Sequence, residues 1–429
     1  MSALILKQYK SYKKSDDKII DCIPEKWSFA RIKDVISKIT SGVTPRGGAE
    51  SYVDVGIPFL RSQNVHNDGL RLDDVSFISL DTHMEMMGSQ VKAGDIVFNI
   101  TGASIARTCV IPSSIKTANI SQHIALLRLR KTNEIRFISY YLQSQLVKDY
   151  VYLTQSGASK EAFNHGQMKC IPVPLPPKYE QRSIADYLDI KIAKIDQKIN
   201  LLNQKAMLYG KLKQTLVNEA VTRGLDKTAR LIDSDVEWIG QVPIHWKVKR
   251  VKELFEISRG RVIAQTELID NGQFPVYSSQ TQNDGCLGYI NTFDYDGSYI
   301  TWTTDGANAG TVFLRSGKFN CTNICGTLKL NVKHCDIRYL YYSLEVSTKH
   351  NKRIDTNGAK IMSNEMMFIK ICVPPQEEQT AIAIYLDEKT AHINHIVTNI
   401  TNQIEKLREL RKVLINDVVT GKIKVTTEG

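Results

Sequence analysis

The sequence predicts an α/β (α+β) protein with two globular domains of mixed strand and helix. Two long antiparallel coiled-coil helices separate the domains, and an internal pseudo-twofold repeat relates the halves. Three observations predict this. First, Glu180-Gln181-Arg182-Ser183-Ile184-Ala185-Asp186-Tyr187-Leu188-Asp189 recurs as Glu378-Gln379-Thr380-Ala381-Ile382-Ala383-Ile384-Tyr385-Leu386-Asp387, each copy entered through prolines. Both copies end alike, at Leu216-Val217-Asn218-Glu219-Ala220-Val221-Thr222 and Leu414-Ile415-Asn416-Asp417-Val418-Val419-Thr420, and the offset is 198 throughout, so they match in length. Second, Ile23-Pro24, Trp27 and Arg31-Ile32-Lys33-Asp34 recur 219 residues later as Val242-Pro243, Trp246 and Arg250-Val251-Lys252-Glu253. Third, the 429 residues exceed one comfortable core, and 42% hydrophobic against 24% charged residues is the balance of a folded chain. A repeat of this length marks a repeated structural unit.

In chain order, residues 1–22 read as an N-terminal extension and residues 23–176 as the first globular domain. Its strand-like runs are Ile57-Pro58-Phe59-Leu60, Asp95 to Ile100 and Ile124 to Leu129, punctuated by glycines as turns require. Ile135 to Leu146 reads as one amphipathic helix. Residues 177–225 are the central helical spacer and 226–241 a linker. Residues 242–374 form the second globular domain, about 21 residues shorter by the drop in offset from 219 to 198. There Tyr299-Ile300-Thr301-Trp302 answers Ile96-Val97-Phe98, Asp305-Gly306-Ala307 answers Thr101-Gly102-Ala103, Leu328-Lys329-Leu330 answers Leu127-Arg128-Leu129, and Tyr341-Tyr342 echoes Tyr140-Tyr141. Residues 375–422 are the distal helical spacer and 423–429 a tail.

Leu188, Ile192, Ile195, Ile199, Leu202, Ala206 and Tyr209 step by four and three, and so do Ile393, Val397, Ile400, Ile404 and Leu407. That is a coiled-coil seam. The prolines upstream cannot continue a preceding element and set a defined entry. Helices of about 30 residues would be about 45 Å long at 1.5 Å per residue. Two equal seams in one chain bury most apolar surface by packing on each other.

A formal net charge of +11 favours a polyanionic partner, with nucleic acid first. No apolar run is long enough to span a membrane, and Met1 to Leu6 is too short for a signal-peptide core, so a cytoplasmic protein is expected. Cys321, Cys325 and Cys335 lie near one another without a CxxC pair, which favours ordinary thiols over a metal site. The sequence contains no G-x-x-x-x-G-K-[ST], no H-E-x-x-H, no Rossmann-type glycine turn and no Asn-Pro-Pro-Tyr or Asp-Pro-Pro-Tyr loop. The chain therefore reads as a binder and scaffold with no catalytic residues and no metal ligands.

The run Asp235-Val236-Glu237-Trp238-Ile239-Gly240-Gln241-Val242-Pro243-Ile244-His245-Trp246 beside a duplicated helix resembles the DNA-specificity subunits of Type I restriction–modification systems. So do the Pro-Pro…Glu-Gln…Leu-Asp helix openings, and Ser41-Gly42-Val43-Thr44-Pro45 followed by Ile57 to Val65. Two departures stand out: Ile19 replaces the expected Trp, and Arg259-Gly260-Arg261 stands where the Gly-x-Thr-Pro turn would be. The resemblance implies a sequence-specific subunit that binds a bipartite, asymmetric double-stranded DNA target, one half per domain. It implies docking of two methyltransferase subunits that bring S-adenosylmethionine, and in the full complex restriction subunits that use ATP and Mg. No cofactor is implied for this chain. A spacer of about 45 Å corresponds to roughly 13 base pairs of B-DNA. Two readings compete: a self-sufficient methyltransferase or nuclease carrying similar recognition domains, which would bind S-adenosylmethionine alone, and a non-catalytic coiled-coil adaptor.

Base readout needs side chains with paired donors and acceptors, and phosphate contact needs cations, hydroxyls and loop amides. On these grounds the first domain offers Arg46, Arg61, Gln63, Asn64, Thr101, Ser104, Arg107 and Lys160. The second offers Arg259, Arg261, Ser278, Ser279, Gln280, Thr304, Asn308 and Lys360. Arg61 and the Gln280 loop rank first, because polar clusters there interrupt apolar strands.

Overall fold

The computed structural model describes residues 8–425 apart from Asp16, Lys18, residues 155–161, Thr356 and Asn357. The chain divides into two units, the first of residues 1–201 with 402–429, the second of residues 202–401. Each is mixed α/β with a stretch of both long helices, as the repeat predicts.

Six strands frame the first unit: β1 (Ile36–Ser41), β2 (Ile57–Leu60), β3 (Ile96–Asn99), β4 (Thr108–Val110), β5 (Ala118–Ile120) and β6 (Ile124–Leu129). They are extended for ordinary reasons, β-branched and aromatic residues flanked by glycine turns. One antiparallel sheet runs β4-β3-β6-β1, while β2 and β5 pair in parallel in a second sheet. The second unit repeats this with β7 (Phe255–Arg259), β8 (Phe274–Tyr277), β9 (Tyr299–Thr303), β10 (Val312–Arg315), β11 (Lys318–Cys321) and β12 (Cys325–Leu330). Its main sheet runs β7-β12-β9-β10, and β8 pairs with β11 in parallel. Strand registers fix residue-by-residue equivalence. Phe98 faces Ala125 across β3 and β6, and Trp302 faces Gly326 across β9 and β12. A Cβ on Gly326 would lie 2.1 Å from the Trp302 ring, so the larger aromatic and the smaller partner change together.

The stretches set apart in the sequence as an extension and a linker contain paired strands. Tyr12–Lys14 pairs with Cys22–Pro24, and Leu231–Asp233 with Gln241–Pro243, in the same register. The amphipathic stretch from Ile135 is two helices rather than one. α1 (Ile135–Leu142) stops at Gln143-Ser144, and a second helix follows over Gln145–Thr154, where the Ser144 hydroxyl accepts from the Val147 amide.

The long helices exceed the expected 30 residues: α2 (Lys178–Arg223) has 46, and α4 (Gln376–Val419) has 44, with α3 (Ile337–Asn351) between them. The difference arises because the first turns are docking surface as well as helix. Gln181 accepts from the Glu134 amide at 2.9 Å and donates to the Pro176 carbonyl at 2.9 Å. Gln379 does the same with Asp336 and Pro374, at 2.9 and 2.8 Å. Two turns on, Asp189 binds Arg136 and Tyr140, and Asp387 binds Arg338 and Tyr342. The structural partner of Tyr140 is therefore Tyr342, which shifts the sequence echo of the tyrosine pairs by one residue.

The helices run antiparallel in each unit. In the first, Arg411 lies 3.3 Å from Asp196, and Ile415, Val418 and Val419 share a core with Ile184, Leu188 and Ile192. In the second, Lys213 donates to Asn394 at 3.2 Å, and Val217, Ala220 and Val221 share a core with Ile382, Ala383 and Leu386. Each helix stops at a left-handed glycine against a tryptophan: Gly224 (φ 74°) faces Trp246, and Gly421 (φ 77°) faces Trp27.

Two substitutions test this frame. Gln379→Ala leaves the half-buried Asp336 amide without its partner and is expected to destabilise the second unit by about 1–2 kcal/mol in denaturant unfolding; an unchanged midpoint contradicts the lock. Gly260→Ala places a Cβ 2.3 Å from the carbonyl oxygens of Cys321 and Thr322, with an expected loss of about 2–3 kcal/mol.

Candidate nucleic-acid interface

Strand ends converge at one edge of each unit. In the first, Gly42 N donates to Ile124 O at 3.0 Å, Val43 N to Ile120 O at 3.1 Å, Ser121 N to Leu60 O at 2.9 Å and Ile100 N to His123 O at 3.0 Å. Loops 42–47, 61–64, 100–107 and 121–123 are thereby gathered into one crown. In the second, Gly260 N meets Cys325 O at 3.0 Å, Arg261 N meets Cys321 O at 3.1 Å, Thr322 N meets Tyr277 O at 2.9 Å and Thr304 N meets Ile324 O at 3.0 Å. The crown there consists of loops 260–262, 278–285, 304–311 and 322–324. Gly42 and Gly260 are equivalent. A Cβ at Gly42 would lie 2.0 Å from Ile120 O, so the chain crosses a neighbouring backbone where only glycine fits. The departure noted at Arg259-Gly260-Arg261 thus keeps the essential glycine and changes its flanks.

Most of the sequence-selected residues lie on or beside these crown loops, with different fates. Arg46 and Arg107 are exposed. Arg61 is half-buried: it donates to the Asp74 carbonyl at 3.3 Å and lies 5.9 Å from the Tyr52 ring centroid, while its Nε is buried without a partner among the described residues. Gln63 is exposed and donates to Asp74 at 2.6 Å. Asn64 is a correction: it is buried, accepts from the Arg61 amide and donates to the Arg71 carbonyl, so it shapes the turn and presents nothing outward. Thr101 pairs with His123 at 2.7 Å, and Ser104 accepts from Asn99 at 3.1 Å. Lys160 lies outside the described residues.

In the second crown Arg259 is exposed and donates to the Asn323 carbonyl. Arg261 bridges Glu267 and Asp294 at 3.0 and 3.1 Å. Ser278 and Thr304 are further corrections: both are buried, Ser278 accepting from Thr322 at 3.2 Å and Thr304 donating to Ile324 O at 3.0 Å. The Ser279 carbonyl accepts from Asn308 at 2.9 Å, the Gln280 side-chain carboxamide donates to the Cys286 carbonyl, and Lys360 lies 3.9 Å from Asp305. Sequence reasoning took polar residues at strand ends, and several of these turn inward to satisfy loop backbone.

It missed others. His165 meets the Ser41 hydroxyl at 2.7 Å, and burial, helped by Lys169, holds its imidazole below the usual range. Gln122 is exposed and pairs with Thr44. In the second crown Thr281, Gln282 and Asn283 are exposed at a loop tip. The sequence signal for that tip is Asn283-Asp284-Gly285, a run that favours left-handed backbone. The equivalent positions Val43/Arg261 and His123/Ile324 keep the backbone hydrogen bonds and change the side chains, and their neighbours Ser41/Arg259 and Gln122/Asn323 change as well. A common frame thus carries two unlike polar surfaces, which is what discrimination between two different sequences requires. Among the described residues no group of His, Cys, Asp and Glu is arranged to hold a metal, and burial pushes the Cys325 thiol up to about 11.

The chain matches the family profile described as Type I restriction modification DNA specificity domain, over residues 24–204 and again over 243–406. A Mycoplasma pneumoniae protein named for the N-terminus of a type I specificity subunit is 40% identical over 33% of this chain and 76% of its own length. Another type I specificity subunit of that organism is 33% identical over 55% of this chain and 90% of its own length. A solved chain, described under complex assembly and conformational transition of the type I R-M system, shares the fold with a TM-score of 0.69 at 15% identity, covering 94% of this chain and 99% of that one.

Exposed and inward-turned crown residues are expected to behave differently. Replacing Arg46 and Arg107 together by alanine should weaken DNA binding across all sequences and flatten its dependence on salt, the slope falling by about one for each phosphate left unneutralised. Asn64→Ala should instead lower stability by about 1–2 kcal/mol. A steeper salt dependence for the arginine pair contradicts the assignment.

Proposed function

The chain belongs to the Type I restriction modification DNA specificity family, and from that premise we propose that it reads a split, asymmetric double-stranded DNA target with one crown on each half. Within such a system it is the DNA-recognition subunit, and the chemistry belongs to other subunits. We assign residues 23–176 and 242–374 as the two target-recognition domains, and 177–225 and 375–422 as the spacer between them. The observation that carries this reading is the twofold construction of one loop crown with unlike side chains.

The partners follow from the same reading. Two methyltransferase subunits dock on the helices and adjoining domains, bringing S-adenosylmethionine. Restriction subunits, with ATP and Mg, join in the complete enzyme. No helix among the described residues is long and apolar enough to cross a membrane, and we place the work of the complex in the cytoplasm. Two modest recognition surfaces on one chain gain affinity through effective concentration, because binding of one half makes the second event intramolecular.

The test is an exchange. Residues 242–374 are replaced by the corresponding domain of a relative, and the methylated motif of the assembled complex is determined. One half of the motif should change and the other half and the gap should remain. A motif that changes in both halves, or in neither, contradicts the assignment of one half to each domain.

A further inference from the structure

The second unit carries a buried cation where the first has an apolar residue. Val110 pairs with Ile96 and Leu314 with Ile300, so the following residues, Ile111 and Arg315, are equivalent. Ile111 is an apolar core residue. A guanidinium in that place is costly unless its donors are used. Arg315 Nη1 lies 2.7 Å from Asp284 Oδ2, Nη2 donates to the Asp284 carbonyl at 2.8 Å, and Nε to Thr301 Oγ1 at 3.4 Å. Its guanidinium carbon lies 3.6 Å from the Tyr277 ring centroid and 4.3 Å from that of Phe313. The arginine side chain is 2% exposed and the aspartate side chain 75%. The charge reaches out of the core to hold one residue of an open loop.

That loop is closed at its neck by Ser278 N donating to Gly285 O at 2.9 Å. Inside it Asn283 (φ 49°) and Asp284 (φ 51°) are consecutive left-handed residues, neither of them glycine. Such a pair persists only where surroundings over-determine it, and strain of this kind clusters at ligand-binding sites. Gln280 and Ser279 are tied inward through Cys286 and Asn308. Thr281, Gln282 and Asn283 are left exposed at the tip.

We propose that Gln282 and Asn283 read bases in the half-site bound by the second unit, and that Arg315 with Asp284 is the clamp that positions them. A carboxamide offers a donor beside an acceptor, which matches the N6/N7 edge of adenine in the major groove. Holding the loop rigid lowers the ordering cost of presenting it. This inference rests on the reading of two halves given above.

The experiment uses the chain assembled with its methyltransferase partner and duplexes randomised in one half at a time. Gln282→Ala and Asn283→Gly (glycine accepts the left-handed backbone) should each lose roughly tenfold discrimination at an A·T pair of the second half. The first half and the melting temperature should be unchanged. Asp284→Ala should show the same loss together with a lower melting temperature, because it takes a partner from the buried Arg315 guanidinium, and Asp284→Asn, which keeps an acceptor for Nη1, should restore most of both; a clamp with no part in readout would lower melting and leave second-half discrimination intact. Undiminished second-half discrimination in both Gln282→Ala and Asn283→Gly overturns the proposal. A wild-type complex with no second-half preference overturns the two-half reading instead.

Discussion

The structure depends on a carboxamide. Gln181 and Gln379 each sit buried at the start of a long helix, accept from an amide of the globular part and donate to the carbonyl of a proline just upstream. This one side chain fixes where the helix leaves the domain and at what angle. The Asp–Arg–Tyr cluster two turns later fixes its rotation. Buried amides and carbonyls tolerate few alternatives, which is why the Glu-Gln…Leu-Asp motif is the plainest repeat in the chain. A bipartite reader requires such a joint, since a loosely hinged domain would not hold its crown in register with a base step.

Above that joint the frame is fixed and the surface is free. The glycine crossing at Gly42 and Gly260 and the matched amide–carbonyl bonds at the strand ends hold the backbone of both crowns alike. The side chains between them diverge: Ser41 is hydrogen-bonded to His165, and the equivalent of Ser41 in the second unit is Arg259. The same division runs into the core, where Phe98 with Ala125 becomes Trp302 with Gly326, the larger ring set against the smaller partner. One fold thus carries two unlike polar surfaces without loss of packing.

These constraints decide what was legible. The repeat, the fold class, the seam and the strands showed in the sequence because helix spacing and strand alternation are periodic. Helix length did not, since docking turns look like any other helix. Most of the polar residues chosen lie on crown loops, but the direction of each side chain could not be read: Asn64 and Thr304 turn inward to loop carbonyls and Ser278 to the Thr322 hydroxyl, and a polar residue at a strand end looks the same either way. Arg315 was invisible for a related reason. A single arginine at the end of a strand reads as surface, and only the fold, which sets it at the position equivalent to the core residue Ile111, shows it to be buried.

The most direct measurement is a map of adenine methylation in cells that carry this chain with its methyltransferase, compared with cells lacking this chain alone. The expected result is a split motif of two unlike halves around a fixed gap, methylated only when the chain is present. A continuous motif, or methylation that persists without the chain, would contradict a two-crown reader.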